Sequence, residues 1–340
     1  MRTTGVKSVT TRIITKEHIQ HAAQILREGG TLAFPTETVY GLGAHAGLSY
    51  AVARVYEAKG RPSFNPLIAH VHSYEAALNV GHFSNKARKL AQAFWPGPLT
   101  LVVPLKDVES VCTLARAGLE SVGLRVPAHT LARQLLQWVN APVVAPSANR
   151  SGHISPTRVE HVLADLDGRI DAILEGDACK VGVESTIVSC LDAEPILLRA
   201  GGVSTAALEL VLHHPIKRHD PIKRHGVVVH HDAPLTLIAP GMLTSHYAPR
   251  AHVIMNATTV NPHQAMLLFG DDRPEGWQEA LMSLNLSESA NVMEAGARLF
   301  DALRTLDQSG CTSIAVSPIP MEGLGEAIND RLIRASAARS

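Results

Sequence analysis

Lys59 and Arg61, in the stretch Lys59-Gly-Arg-Pro-Ser-Phe-Asn-Pro-Leu67, are the first residues whose types and spacing point to chemistry. They are expected just past the end of a helix, on a loop broken by Gly60, Pro62 and Pro66. On an extended backbone, side chains two positions apart point the same way. A polyphosphate suits such a pair, because an arginine fork grips two oxygens and a lysine adds a compact charge. The same cations would also suit a helix C-terminus, where they offset the dipole. Their spacing leaves both readings open.

Two further groups follow. Ala145-Pro-Ser-Ala-Asn149, then Ser151-Gly152 and Ser155-Pro-Thr157, lies between an expected buried strand and a helix. Open α/β sheets bind ligands at such positions, and the amides of the helix start would favour an anion. The plain alternative is a Ser/Asn-rich turn that caps the helix. Gly182-Val-Glu-Ser-Thr186 opens a strand, Arg199-Ala-Gly-Gly202 ends the next, and Arg125 stands among apolar neighbours in Gly123-Leu-Arg-Val-Pro127. A charge in an apolar strand is costly unless paired. Its partner is either an acidic residue of the fold or an anionic ligand. Several such arginines near strand ends make the ligand the economical explanation. No Ser-His-Asp set, Walker loop or GxGxxG appears, which disfavours hydride transfer and P-loop hydrolysis.

Alternating helix and strand signals must position these residues. Thr15 can cap a helix with Ile19, Ala22, Ala23 and Leu26 at helical spacing, ended by Gly29-Gly30. Strands are expected near 31–34, 99–103, 122–126, 143–145, 172–174, 186–189 and 196–198, with helices near 49–58, 84–94, 128–139 and 158–166. This α/β region, residues 1–212, leads into a linker, 213–249, in which Pro-Ile-Lys-Arg-His occurs twice in succession. Six histidines between His213 and His231 invite a metal reading, but their spacing is irregular and a solvated basic linker is the better expectation. Residues 250–340 resume the alternation, with strands near 252–255, 266–269 and 313–316 and helices near 289–306 and 323–337.

Composition sets the limits. The chain has 340 residues, enough for two cores, with 46% hydrophobic and 18% charged residues as in a globular protein. Lys+Arg and Asp+Glu both number 31, so any polyanion site must be a local cluster. No apolar run suits a bilayer span and the N-terminal residues lack a secretory signal, so no membrane partner and a cytoplasmic location are expected. Cys112, Cys179, Cys190 and Cys311 are scattered, which argues against a zinc site or a disulfide framework.

Taken in order, several segments resemble the YrdC-like family of threonylcarbamoyl-adenylate synthases. They are Phe34-Pro-Thr-Glu-Thr-Val-Tyr-Gly-Leu-Gly43, Lys59-Gly-Arg-Pro62 with Asn65-Pro-Leu67, Leu124-Arg-Val-Pro127, Pro146-Ser-Ala-Asn149, Glu184-Ser-Thr186 and Leu198-Arg-Ala-Gly201. Pro240-Gly-Met-Leu-Thr-Ser-His-Tyr-Ala-Pro249 and Gly323-Leu-Gly-Glu-Ala-Ile-Asn-Asp-Arg-Leu-Ile-Arg334 resemble its longer, two-domain branch. The resemblance implies a YrdC-like twisted α/β domain followed by a smaller Rossmann-like one. The implied reaction turns L-threonine, bicarbonate and ATP into threonylcarbamoyl-AMP and pyrophosphate, with Mg²⁺ accompanying ATP and no resident metal. A tRNA threonylcarbamoyl transferase would take the product. The implied nucleotide contacts are Lys59, Arg61, Asn65, Ser121, Ser147, Asn149, Ser155, Arg199 and Tyr247, with Lys59 and Arg61 offsetting charge on the leaving group. The implied threonine contacts are Thr36, Thr38, His70, Arg125, Ala145 and Ser185. Ala145 departs from the pattern by offering only backbone, and Tyr247 makes the linker the candidate lid.

Two rivals predict different behaviour. A double-stranded-RNA-binding module would bind RNA in a strongly salt-dependent way and ignore threonine. A carbamoyl-transfer enzyme that uses carbamoyl phosphate would not need bicarbonate.

Overall fold

The computed structural model describes residues 10–219 and 247–337. The first described stretch contains β1 (Arg12–Ile14), α1 (Ile19–Arg27), β2 (Leu32–Phe34), β3 (Gly41–His45), α2 (Ser49–Lys59), β4 (Ile68–His70), α3 (Tyr74–Val80), α4 (Asn85–Phe94) and β5 (Leu99–Pro104). It continues through β6 (Ser121–Arg125), α5 (Thr130–Val139), β7 (Val143–Val144), α6 (Val159–Leu166), β8 (Ala172–Leu174), β9 (Thr186–Ser189), β10 (Ile196–Arg199), α7 (Thr205–Leu212) and β11 (Lys217–Arg218). The second contains β12 (His252–Ile254), β13 (Gln264–Leu268), β14 (Met282–Asn285), α8 (Val292–Gln308), β15 (Ser313–Val316) and α9 (Gly325–Ser336).

Local chemistry accounts for many of the helix starts. Ser73, Ser84, Ser204 and Asn291 accept backbone N–H groups at the N-termini of α3, α4, α7 and α8. Thr15 does not behave as expected: its side chain caps nothing, and a short 3-10 turn at Lys16–His18 precedes α1. Gly29 ends that helix in the left-handed region, at φ +83°.

The described strands form two sheets. The larger runs β1-β8-β2-β3-β7-β4-β6-β5-β9-β10-β11, and the smaller runs β12-β15-β13-β14 with parallel pairs. Side-chain alternation decides what each face of the large sheet carries. Ala69 and Leu124 enter the main apolar core with Leu42, Leu101 and Val144. Ile68, His70, Gly123 and Arg125 therefore share the opposite face. The register pairs Ile68 with Gly123 and His70 with Arg125.

The first copy of the duplicated pentapeptide corrects the expectation of a solvated linker. Lys217–Arg218 pairs with β10 as the edge strand, and Ile216 is buried in the main core. Ile216 is an apolar residue with a place to go, so the chain stays on the sheet beyond α7. The second copy and the rest of 220–246 lie outside the described residues.

The second domain does not pack against the first through polar contacts alone. One apolar cluster joins Val39, Ile154, Val183 and Tyr247 to Leu299, Phe300 and Leu324. Around it, Arg304 meets Asp165 at 3.0 Å, and Thr205 donates to Glu326 at 2.8 Å.

Candidate active site

A cleft of about 480 Å³ lies on the face of the large sheet that carries His70 and Arg125. Neighbouring strands supply its floor. β4 brings Ile68 and His70, β6 brings Arg125, and the start of β9 and the end of β10 bring Ser185 and Arg199. The walls come from loops: Thr38 and Val39 after β2, Arg61 after α2, Ala145, Pro146 and Ser147 after β7, Glu184 before β9, and Tyr247.

The loops are tied down by specific bonds. Thr36 Oγ1 lies 2.8 Å from Thr38 Oγ1 and donates to the Val39 carbonyl at 2.6 Å, which fixes the turn after β2. The 146–148 loop is sewn to β3 through Leu42 N–H on the Pro146 carbonyl and Ala148 N–H on the Tyr40 carbonyl. At the other wall only glycine fits at 201, since a Cβ there would lie 2.3 Å from the Ser185 carbonyl carbon and the Thr186 nitrogen. That close approach locks Glu184–Thr186 against the end of β10. Arg199 completes the join by donating to the Ser185 carbonyl from Nη2 at 2.9 Å.

Three arginines, Arg61, Arg125 and Arg199, line the cleft. Arg125 resolves the alternative left open by its sequence. Its Nη2 donates to Glu37 at 2.6 Å, and Glu37 also accepts the Ala128 N–H, so an acidic residue of the fold does pair with it. Arg125 still lines the cleft, with its neighbour His70 alongside. Burial and the Arg125 charge push the His70 imidazole down to about 3, so it is neutral at physiological pH. Arg61 is drawn down to about 10, chiefly by burial. For Glu184, burial would raise the carboxyl, but Arg331 and Arg199 beside it and a hydrogen bond from Ser155 hold it at about 2.

Two residues that line the cleft carry buried polar atoms without a hydrogen-bond partner, Arg61 Nε and His70 Nδ1. Asn65 Oδ1 and Asn149 Oδ1, on residues that do not line it, are unpartnered too, as are four atoms elsewhere among the described residues. Buried polar atoms normally have partners, so the two in the cleft call for a ligand or water.

Several expected residues are placed differently from expectation. Lys59 is the last residue of α2 rather than part of the loop beyond it, and Gly60 takes the left-handed turn at φ +60°. Its Nζ donates to the Ser147 and Asn149 carbonyls, both at 2.5 Å. Lys59 thus holds up the 146–149 loop from beneath instead of forming the cleft wall, because two carbonyls that α2 approaches claim its ammonium. Burial, then the Arg61 charge, lower its proton affinity well below the lysine norm. Ser155 donates to Glu184 at 2.6 Å, and Asn149 turns its amide to the Arg150 and His153 carbonyls. Asn65 and Thr36 are buried behind the wall. Ser121 lies in a groove of its own with Thr100, Arg116 and Leu119, which shares Ile68 with the cleft. Gly123, between Ser121 and Arg125 on that face, lines this groove too. Thr38, Arg61, His70, Arg125, Ala145, Ser147, Ser185, Arg199 and Tyr247 all line the one cleft.

Tyr247 is fully buried, stacks on Phe300 with ring centres 5.6 Å apart, and has a left-handed backbone at φ +64°. Glu37, Glu184 and Arg331 went unassigned in the sequence reading. Each stands inside a quoted motif, but only the fold shows the pairings.

Among the described residues, no group of His, Cys, Asp and Glu is placed to hold a metal. Glu184, which lines the cleft, and Glu37, which pairs with the lining Arg125, are each already on an arginine. No helix of the described residues is long and apolar enough to cross a membrane.

Comparison with known proteins identifies the family. The Sua5/YciO/YrdC family model, described as telomere recombination, matches residues 24–201. A second, described as the threonylcarbamoyl-AMP synthase C-terminal domain, matches residues 203–337. The chain is 39% identical to the Bacillus subtilis threonylcarbamoyl-AMP synthase, over 97% of this chain and 96% of that one. It is 38% identical to the Pyrococcus abyssi threonylcarbamoyl-AMP synthase, over 94% of each. A crystal structure of P. abyssi Sua5 complexed with L-threonine superposes with a TM-score of 0.84 at 37% identity, covering 96% of this chain and 98% of that one. With both domains matched in order, the chain belongs to the Sua5/YciO/YrdC family, in its two-domain threonylcarbamoyl-AMP synthase branch.

Proposed function

We propose that this cleft joins L-threonine, bicarbonate and ATP into threonylcarbamoyl-AMP with release of pyrophosphate. The observation that carries the reading is the convergence of Arg61, Arg125 and Arg199 in one cleft, with Arg61 Nε and His70 Nδ1 buried there without partners. A solved relative is described as complexed with L-threonine. Here Arg125 and neutral His70, side by side on β6 and β4, suit the carboxylate and hydroxyl of threonine, within reach of Thr38 and Ser185. Ala145 offers backbone only. Arg61, Ser147 and Arg199, with Tyr247, suit the triphosphate, and we assign Ser121, on the same strand as Arg125, to the rest of the nucleotide. Thr36, Asn65, Asn149 and Ser155 support the walls.

The chemistry balances without a protein nucleophile. The threonine nitrogen adds to the bicarbonate carbon, water leaves, and a carbamate oxygen attacks the α-phosphorus as pyrophosphate departs. In-line placement supplies much of the acceleration, and Arg61 and Arg199 offset charge building on the leaving group. Lys59 contributes by fixing the loop that bears Ser147. Mg²⁺ would arrive on the oxygens of ATP itself, and no step depends on a protein metal ligand. The carbamate and the adenylate both hydrolyse readily, so burial of Tyr247 across the cleft serves to exclude water. We assign residues 1–212 together with the edge strand Lys217–Arg218 to the catalytic domain, the rest of 213–249 to the connecting segment that presents Tyr247, and 250–340 to the second domain. The product is consumed by a transferase acting on tRNA.

The enclosed position of the cations favours a small anion over an RNA duplex, which would need them on an open face. The test is pyrophosphate release by the purified chain, with a transferase present to consume the product. Release should require threonine and bicarbonate together. Release without threonine, or with carbamoyl phosphate replacing bicarbonate, would overturn the reading.

A further inference from the structure

The second domain places one charged side chain against the cleft. Arg331, on α9, is completely buried, and its Nε donates to Glu184 Oε2 at 2.7 Å. Its Nη2 donates to the Ala200 carbonyl at 2.9 Å, directly after Arg199, and its Nη1 meets Asp330. The guanidinium carbon also lies 5.3 Å from the centre of the Tyr247 ring. One side chain from the second domain thus touches three parts of the cleft wall.

Docking the domain does not require this charge. Phe300, Leu299 and Leu324 already join Val39, Ile154 and Val183 in an apolar cluster, and a buried ion pair is a poor substitute for apolar packing. What the charge does is local. Glu184 lines the cleft, and an unpaired carboxylate there would repel an entering polyphosphate. Tyr247 holds a left-handed backbone that non-glycine residues avoid, and contacts on its ring from Phe300 and Arg331 help to retain it.

We propose that Arg331 is a positioning residue for nucleotide binding, supplied to the catalytic cleft by the second domain. It neutralises and orients Glu184, pins the backbone beside Arg199 and fixes the Tyr247 ring. The cleft accepts an anionic nucleotide because the second domain is docked. This inference rests on the adenylate-forming reading above.

The test uses the full chain and calorimetric binding of ATP and, separately, of threonine. Arg331→Met should weaken ATP at least about tenfold and change threonine affinity less than about threefold. Arg331→Lys keeps the charge without the planar fork and should fall between Arg331→Met and wild type. Combining Arg331→Met with Glu184→Gln removes the stranded carboxylate, so the double variant should bind ATP more tightly than Arg331→Met alone. Thermal melts identify any variant that fails to fold, and Arg331→Lys then carries the comparison. Wild-type ATP affinity in Arg331→Lys and Arg331→Met, equal losses for ATP and threonine, or no recovery in the double variant would each overturn the proposal. A wild-type chain that binds no ATP would instead sink the adenylate-forming reading, and the inference with it.

Discussion

At the scale of single residues, the arginines were legible in the sequence and their partners were not. Arg125 and Arg199 announced themselves as charges in apolar strands. Their surroundings depend on Glu37, 88 positions from Arg125, and on Glu184, 147 positions from Arg331, and no local pattern encodes such separations. Lys59 shows the converse: its spacing from Arg61 suggested a phosphate grip, and no local pattern disclosed that its ammonium also bonds two carbonyls. Replacing it with methionine strands both carbonyls, and we expect a loss of about 2–4 kcal/mol of stability, seen as a lower urea midpoint. An unchanged midpoint with lost activity would return Lys59 to a purely phosphate-binding role. For Arg125→Lys the bidentate fork is lost, so the KM for threonine should rise about tenfold while that for ATP moves little. Steady-state kinetics with each substrate varied will show whether the two separate.

At the scale of elements, periodicity did well where side chains alternate or recur. Residues 172–174, 186–189 and 313–316 are strands as expected, and the helices near 84–94 and 128–139 stand within two residues of their expected starts. Three of the strands that escaped notice have physical reasons. β3 reads Gly-Leu-Gly-Ala-His, without the branched residues that mark strands, and β14 reads Met-Ser-Leu-Asn. β4 is only three residues long and follows Pro66 closely. Missing β3 and β4 meant missing how His70 comes to lie beside Arg125. The glycines allow a contrast between elements. At Gly201 an added Cβ meets backbone, whereas at Gly60 it meets nothing within 4 Å and only the left-handed φ is strained. Gly201→Ala should therefore cost about 3 kcal/mol or more, and Gly60→Ala about 1–2 kcal/mol. Thermal denaturation of the two variants side by side checks the order, and a reversed order would contradict the packing described for the wall at Ser185.

At the scale of the whole molecule, the two domains share a cluster of apolar side chains and a buried ion pair, and the pair gives the assembly a pH signature. The Glu184 carboxyl stands at about 2 in the fold against an ordinary 4.5. A carboxyl lowered by folding adds stability that is complete above its ordinary value and is lost as pH falls through the folded one. Its contribution, of order 3 kcal/mol, should fade between about pH 4.5 and 2. Urea titrations across that window should show the wild type losing stability faster than Glu184→Gln as pH falls. Parallel curves would mean that the pair does not govern the acid limb. Two domains could be read from length and from renewed alternation after 250, but their shared cluster could not, because it is built from Val39, Ile154, Val183 and Tyr247, far apart in the chain.

The most direct measurement of what the cleft makes is mass spectrometry of the nucleotide product after incubation with ATP, threonine and ¹³C-labelled bicarbonate. An adenylate that contains threonine and carries the heavy carbon is the expected result, formed together with pyrophosphate. An unlabelled adenylate, or ADP and phosphate in place of AMP-linked product, would contradict the assignment.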